Sequence, residues 1–391
     1  MLQVMNKHPH FKLFTFNVYG KMKKLIYRRS SVGRATVSKT VCRGFESRRR
    51  CQKINKIIMD RLLTGTRPTG ALHLGHYIGA LKQWVDLQDK YECFFMLNDI
   101  QALTTHSKDP TLINDSVRQV FLDYLAVGLD PEKENVHFVL QSAVSEISDL
   151  TVLLSMVAPF SWMQANPTIQ TEMKNLKTVT TGFMFYPVSQ AADILSVSPD
   201  PEKDNKPILV PVGEDQLPHL RDTNNIARAF NNTYGKTFVK CDALVGKVGR
   251  LVGTDGKSKM SKSLGNTIFL KDSEKNIKEK VMSMYTDPNR IRSTDPGTVE
   301  GNPVFIYHDA FNKNKEEVED LKDRYRKGTV GDVEVKEKLN VVLQELVAPI
   351  REKREKFEKE DINKYLVNGT EKYRLLAKDS VERAKKAMHL I

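Results

Sequence analysis

The sequence predicts a doubly wound, parallel α/β sheet followed by an all-helical C-terminal domain. Two observations predict it. Between Met59 and about Asp272, short apolar runs alternate with amphipathic stretches, as in successive strand–helix units. From about Asp272 the strand signals stop, and charged amphipathic segments such as SEKNIKEKVMSMY and KEEVEDLKDRYRK take over.

The elements follow in order. A first strand is expected around Leu62–Leu63, then a Gly/Pro-rich turn, then a helix from near Gly75 with Ile78, Leu81, Trp84 and Val85 apolar. ECFFMLND reads as a buried strand. A helix follows Asp109-Pro110, with Val117, Val120, Phe121 and Leu125 on one face. NVHFVLQ (135–141) is a strand, 146–158 a helix, KPILVPVG (206–213) a buried strand, and the chain is helical from Asp215 onward. No internal repeat and no apolar run long enough to span a membrane stands out.

Length and charge sharpen the organisation. The 391 residues give room for two domains, and the net charge of +13 invites a nucleic-acid reading. That charge is local. Residues 1–58 hold 15 of the 61 Lys and Arg against Glu46 alone, which leaves 46 basic and 47 acidic side chains for residues 59–391. Cys42, Cys51, Cys93 and Cys241 show no metal spacing, so no zinc or iron–sulfur site is expected and a reducing compartment is compatible.

Two stretches carry chemistry. In TGTRPTGALHLGH, Gly65, Gly70 and Gly75 allow close backbone approach, and a helix start aims its amides upward from the sheet. His73 and His76 stand three apart at that start, which suits an anion such as a triphosphate; half a metal site or an ordinary capped helix is the plainer alternative. In DGKSKMSKSLGN (255–266), Lys257, Lys259 and Lys262 alternate with Ser258, Ser261 and Ser263 on a Gly-flanked loop. Cations and hydroxyls on a mobile segment suit a leaving pyrophosphate, although a solvated basic loop is the common fate of such a cluster.

Together, HLGH and KMSKS resemble the signature pair of the class I aminoacyl-tRNA synthetases. GFMFYPVSQAADIL (182–195) and VPVGEDQLPH (210–219) are similar to the pocket and nucleotide segments of the tryptophanyl-tRNA synthetases, and the likeness runs from Met59 nearly to the C-terminus. The resemblance implies a Rossmann-type catalytic domain with a helical insertion over 59–268 and a helical anticodon-binding domain over 269–391. It implies that Asp193 accepts the indole N–H, with Gly65, Tyr186, Gln190, Val210 and Val212 around the ring. A buried acceptor fits that part, because an indole nitrogen only donates. ATP contacts carry over to Arg67, Pro68, Thr69, Gly75, His76, Gly213, Glu214, Asp215, Leu251, Lys259, Met260, Ser261, Lys262 and Ser263. His73, His76, Lys259 and Lys262 would be the catalytic set, with ATP and Mg²⁺ as co-substrate, no protein-bound metal and no covalent nucleophile. The implied partners are L-tryptophan, ATP, tRNA(Trp) and a second copy in a homodimer, in the cytoplasm.

Departures from the best-known bacterial pattern are HLGH for TIGN, Arg67 for a glutamine and Gln190 for a methionine. A Gln near the Asp is also similar to tyrosyl enzymes, so tyrosine stays as an alternative substrate. A non-charging nucleotide-binding paralogue and a related nucleotidyltransferase are further alternatives.

The basic start admits three readings. It could be a tRNA-binding arm, or an Arg- and Ser-rich mitochondrial transit peptide. The third comes from the genetic code. SSVGRA (30–35) is what AGC-TCA-GTT-GGT-AGA-GC would encode and GFESR (44–48) what GGG-TTC-GAA-TCC-CGC would encode, and these nucleotide strings resemble the D and T arms of a tRNA gene. Residues 1–58 are therefore expected to be a disordered extension translated from an upstream tRNA gene, with Met59 the native start.

Overall fold

The computed structural model describes residues 59–391 apart from Asn175, residues 247–250, Lys259, Asn289 and Ser293, and it describes Ser263 without its side chain. The expected basic extension lies outside the described residues. Met59–Ile391 holds together as one unit.

Strand β1 (Arg61–Thr66) buries Leu62, Leu63 and Thr64, as a strand covered on both faces must. His73 caps a short helix, α1 (Leu74–His76), which passes through a π-helical segment (Tyr77–Leu81) into α2 (Lys82–Leu87). The expected buried face is present at Ile78, Leu81 and Trp84, with Val85 half-buried. Next come β2 (Glu92–Leu97), α3 (Asp99–His106) and α4 (Pro110–Ala126), the last capped by Asp109 and opened by Pro110. Strand β3 (Val136–Leu140) leads through a 3₁₀ turn (Gln141–Ala143) into α5 (Ser145–Ser155). Helices α6 (Phe160–Ala165), α7 (Pro167–Met173) and α8 (Thr181–Leu195) form an insertion before β4 (Ile208–Val212). A 3₁₀ turn (Glu214–Gln216), α9 (Leu217–Tyr234) and β5 (Cys241–Val245) complete the sheet.

All strand pairs are parallel, in the order β3-β2-β1-β4-β5. The order reverses beside β1, so the ends of β1 and β4 diverge and leave the crevice where such sheets bind ligands. Gly65 is obligatory at that edge: a Cβ there would stand 2.3 Å from the Met96 carbonyl and 2.4 Å from Asn98 Oδ1.

Beyond the sheet the chain is helical, in α10 (Glu274–Met282), α11 (Pro303–Phe311), α12 (Lys315–Arg326), α13 (Asp332–Glu358) and α14 (Asn363–Ala387). Helix α13 packs on α4, and α14 lies across β3. Gly369 permits that crossing, since a Cβ would meet the Phe138 carbonyl at 2.2 Å. Tyr373, Ala377, Val381 and Ala384 of α14 join the core formed by β1–β4, α5 and α8. Among the described residues no helix is long and apolar enough to cross a membrane.

Candidate active site

A cavity of about 540 Å³ occupies the crevice. Its upper edge is the HLGH turn. The Nδ1 of His73 accepts from the Gly75 amide at 3.2 Å, and the His73 amide donates to Nδ1 of His76 at 3.3 Å, a reciprocal cap. Both Nδ1 atoms act as acceptors, so both rings carry their proton on Nε2. Burial pushes the His73 imidazole down to about 4 and, with the His73 ring and Lys262 nearby, the His76 imidazole well below its usual value. The two rings are neutral N–H donors near pH 7.

Residues 268–270, just after KMSKS, join this turn through backbone pairing. The Leu74 amide donates to Ile268 at 3.0 Å and the Leu270 amide to Leu72 at 3.0 Å, flanking an antiparallel bridge of His73 with Phe269. Lys262, which opens a 3₁₀ turn (Lys262–Leu264), donates from Nζ to the Gly70 carbonyl at 2.7 Å. Burial brings its ammonium down to about 8.

At the floor stands Asp193, in a fully helical α8 that puts Tyr186, Gln190 and Asp193 at i, i+4 and i+7 on one face. Its side chain is 3% exposed. Oδ2 accepts from Gln101 at 2.7 Å, Gln141 at 2.9 Å and Asn98 at 3.3 Å, while Oδ1 accepts from Gln141 at 2.9 Å. The Tyr373 hydroxyl of α14 donates to the Asp193 carbonyl at 2.6 Å. Burial pushes this carboxyl up to about 8, and the amide donors of Gln141 and Asn98 oppose the rise.

The wall between floor and turn is a polar chain. Tyr186 Oη lies 3.2 Å from His219 Nε2 and donates to Glu172 Oε2 at 3.2 Å. The other Glu172 oxygen accepts from Arg67 at 3.2 Å. His219 Nδ1 faces the Asn166 amide at 3.4 Å, and burial lowers its imidazole to about 4.

The model of the tRNA synthetases class I (W and Y) matches residues 59–348. The chain is 45% identical over 337 residues to the tryptophan–tRNA ligase of Clostridium longisporum, covering 84% of this chain and 96% of the relative. It is 46% identical over 332 residues to that of Borreliella burgdorferi, covering 83% and 92%. The tryptophanyl-tRNA synthetase of Campylobacter jejuni, solved with ADP and tryptophan, superimposes with a TM-score of 0.73 at 32% identity, covering 84% of this chain and 99% of that one. The chain belongs to the tryptophan branch of the class I tRNA synthetases.

In this synthetase the expected ring contacts Gly65, Tyr186, Gln190, Asp193, Val210 and Val212 all line the cavity. So do Arg67, Thr69, His73, Gly75, His76, Gly213, Asp215, Leu251 and Met260. Pro68 is buried beneath the turn, Glu214 points to solvent, and Ser261 and Lys262 stand beside the cavity without lining it. Lys259 and the Ser263 side chain lie outside the described residues. Cys93 and Cys241 are buried free thiols pushed up to about 12, which makes them inert. Sequence reading missed Asn98, Gln101 and Gln141 around Asp193, and Glu172 beside Tyr186. Only Asn98 and Gln101, three apart after a buried strand, left a trace in the pattern.

Proposed function

We propose that this chain activates L-tryptophan with ATP, releasing pyrophosphate, and transfers the tryptophanyl group to tRNA(Trp). The observation that carries it is Asp193: a buried acid, held as an acceptor by three amides, in one cavity with the HLGH turn. An indole N–H can donate to the Asp193 oxygen Oδ1, which takes one amide, and phenylalanine has no donor to offer.

In the first step the tryptophan carboxylate oxygen attacks the α-phosphorus of ATP, and the bond to the pyrophosphate oxygen breaks. The Nε2–H groups of neutral His73 and His76 stabilise charge growing on the phosphate oxygens. Lys262, with Lys259 by resemblance, neutralises the departing pyrophosphate. Mg²⁺ would enter on the phosphates of ATP and screen their charge. In the second step the terminal ribose hydroxyl of the tRNA attacks the acyl carbonyl, and AMP leaves.

The helices from about residue 269 would contact the anticodon, with the protein acting as a homodimer in the cytoplasm; a mitochondrial site applies if residues 1–58 are a transit peptide. Gln190, one turn before Asp193, is the feature that supports a tyrosyl reading. Pyrophosphate–ATP exchange with tryptophan and tyrosine in parallel separates the two. Exchange with tryptophan alone is expected, and exchange with neither would end the synthetase reading.

A further inference from the structure

Asn266, the last residue of DGKSKMSKSLGN, is buried and ties the two arms of that loop together with one side chain. Its Oδ1 accepts from the Ser261 amide at 2.8 Å. Its Nδ2 donates to Asp255 Oδ1 at 3.1 Å and to Ser258 Oγ at 3.1 Å. Its backbone carbonyl accepts from the Thr254 amide at 3.1 Å. Gly253 makes room for this arrangement, since a Cβ there would stand 2.1 Å from Asn266 Nδ2. The Gly253 amide in turn donates to the Ser258 carbonyl at 2.7 Å, which folds the first arm back on itself.

The residues that Asn266 joins belong to different parts of the site. Asn266 runs directly into residues 268–270, whose pairing with Leu72 and Leu74 seats the second arm on the HLGH turn. Ser261, held through its amide, lies between Met260 and Lys262. Met260 lines the cavity and its amide donates to the Leu251 carbonyl at 3.3 Å, while Lys262 reaches the Gly70 carbonyl. A lysine ammonium rides on a flexible four-carbon stem, so its position is only as fixed as the backbone that carries it. Asn266 does not itself line the cavity, so any effect on the reaction passes through Ser261 and Lys262.

We infer that Asn266 is a positioning residue for pyrophosphate departure, fixing the backbone of the lysine loop so that Lys262 stands over the first turn. This rests on the tryptophan-activating reading above. Charge on the leaving group grows only as its bond to the α-phosphorus breaks, so a displaced Lys262 slows that step and leaves the tryptophan floor on α8 as it was. Losing the three side-chain hydrogen bonds together lowers the rate by roughly 10- to 100-fold.

The test measures pyrophosphate–ATP exchange, with calorimetric binding of tryptophan in the absence of ATP. The proteins are wild type, Asn266→Ala, Asn266→Asp, and Asn266→Asp combined with Asp255→Asn. Asn266→Ala is expected to lower kcat by roughly 10- to 100-fold while Kd for tryptophan changes by less than about twofold. The retained tryptophan binding also reports that the variant is folded. Asn266→Asp keeps the acceptor for Ser261 but sets a carboxylate against Asp255, and kcat should fall here too. Adding Asp255→Asn restores the pair with donor and acceptor exchanged, and should return kcat by at least about threefold. A side chain that only filled space would gain nothing from that exchange. Unchanged kcat in Asn266→Ala, an equal loss of tryptophan affinity, or no recovery in the double variant overturns the Asn266 assignment while the synthetase reading stands. Failure of wild type to exchange with tryptophan overturns both.

Discussion

Replacing Asp193 tests the floor of the cavity most directly. Asp193→Ala removes the carboxyl acceptor at the cavity floor and leaves the side-chain amides of Gln101, Gln141 and Asn98 pointing into the space. Leaving the indole N–H without its buried acceptor costs about 1–3 kcal/mol, so kcat/KM for tryptophan relative to phenylalanine should fall roughly 5- to 150-fold. Three stranded donors cost about 1–3 kcal/mol each where water cannot reach them, so a stability loss of about 3–9 kcal/mol is expected in denaturant unfolding. ATP affinity should persist, because the HLGH turn and Lys262 do not touch Asp193. The assay is amino-acid-dependent pyrophosphate–ATP exchange with both amino acids. An unchanged tryptophan-to-phenylalanine ratio in a folded variant refutes the assignment. A second readout is pH. The Asp193 carboxyl titrates near 8 in the folded chain, above its unfolded value near 4, so its stabilising proton is present below the unfolded value and lost as pH rises through the folded one. The stability of Asp193→Asn relative to wild type should therefore rise between about pH 5 and 8 and level off above.

Three further outcomes are expected. Lys262 titrates near 8 in the free protein, so kcat/KM for ATP should fall as pH rises past that value, and Lys262→Arg should move the fall beyond the usable range; a flat profile from pH 7 to 9 refutes the role. Arg354 of α13 pairs with buried Asp123 at 2.9 Å, and Asp123 in turn accepts from the Leu72 amide at 2.7 Å. Arg354→Met should cost about 3–5 kcal/mol in urea unfolding and raise KM for ATP by loosening the signature turn, whereas an unshifted KM would show that α13 does not steady it. Deletion of residues 1–58 should leave aminoacylation of tRNA within about twofold, because the HLGH turn, Asp193 and the KMSKS segment all follow Met59; a tenfold loss would make the basic segment a binding arm.

Local pattern carried most of the elements. Short apolar runs located β1 to β4, which are covered on both faces, and amphipathic spacing located the helix 110–126, while 217–234 falls in the stretch expected to be helical from Asp215. Strand β5 was illegible: CDALV is mostly half-buried at the sheet edge, so it never builds an apolar run. The helix expected over 146–158 stops at Ser155, short of Pro159, which bars the preceding residue from helical backbone. Nothing in the local spacing foretold the π-helical turn Tyr77–Leu81.

The same division runs through the site. The sequence by itself determined the chemistry available: two imidazoles at a helix start, lysines on a Gly-flanked loop, and an acid in an apolar helix, each a matter of neighbours within about two turns. Only the tertiary structure decided what those groups are. His73 and His76 became neutral donors because the chain buried them, and Lys262 met Gly70 because residues 268–270 pair with the first turn. Asp193 became a fixed acceptor because amides from the ends of two strands converge on it, and Glu172 gained its partners from β1 and α8. Protonation and orientation depend on burial and on partners distant along the chain, and sequence spacing records neither.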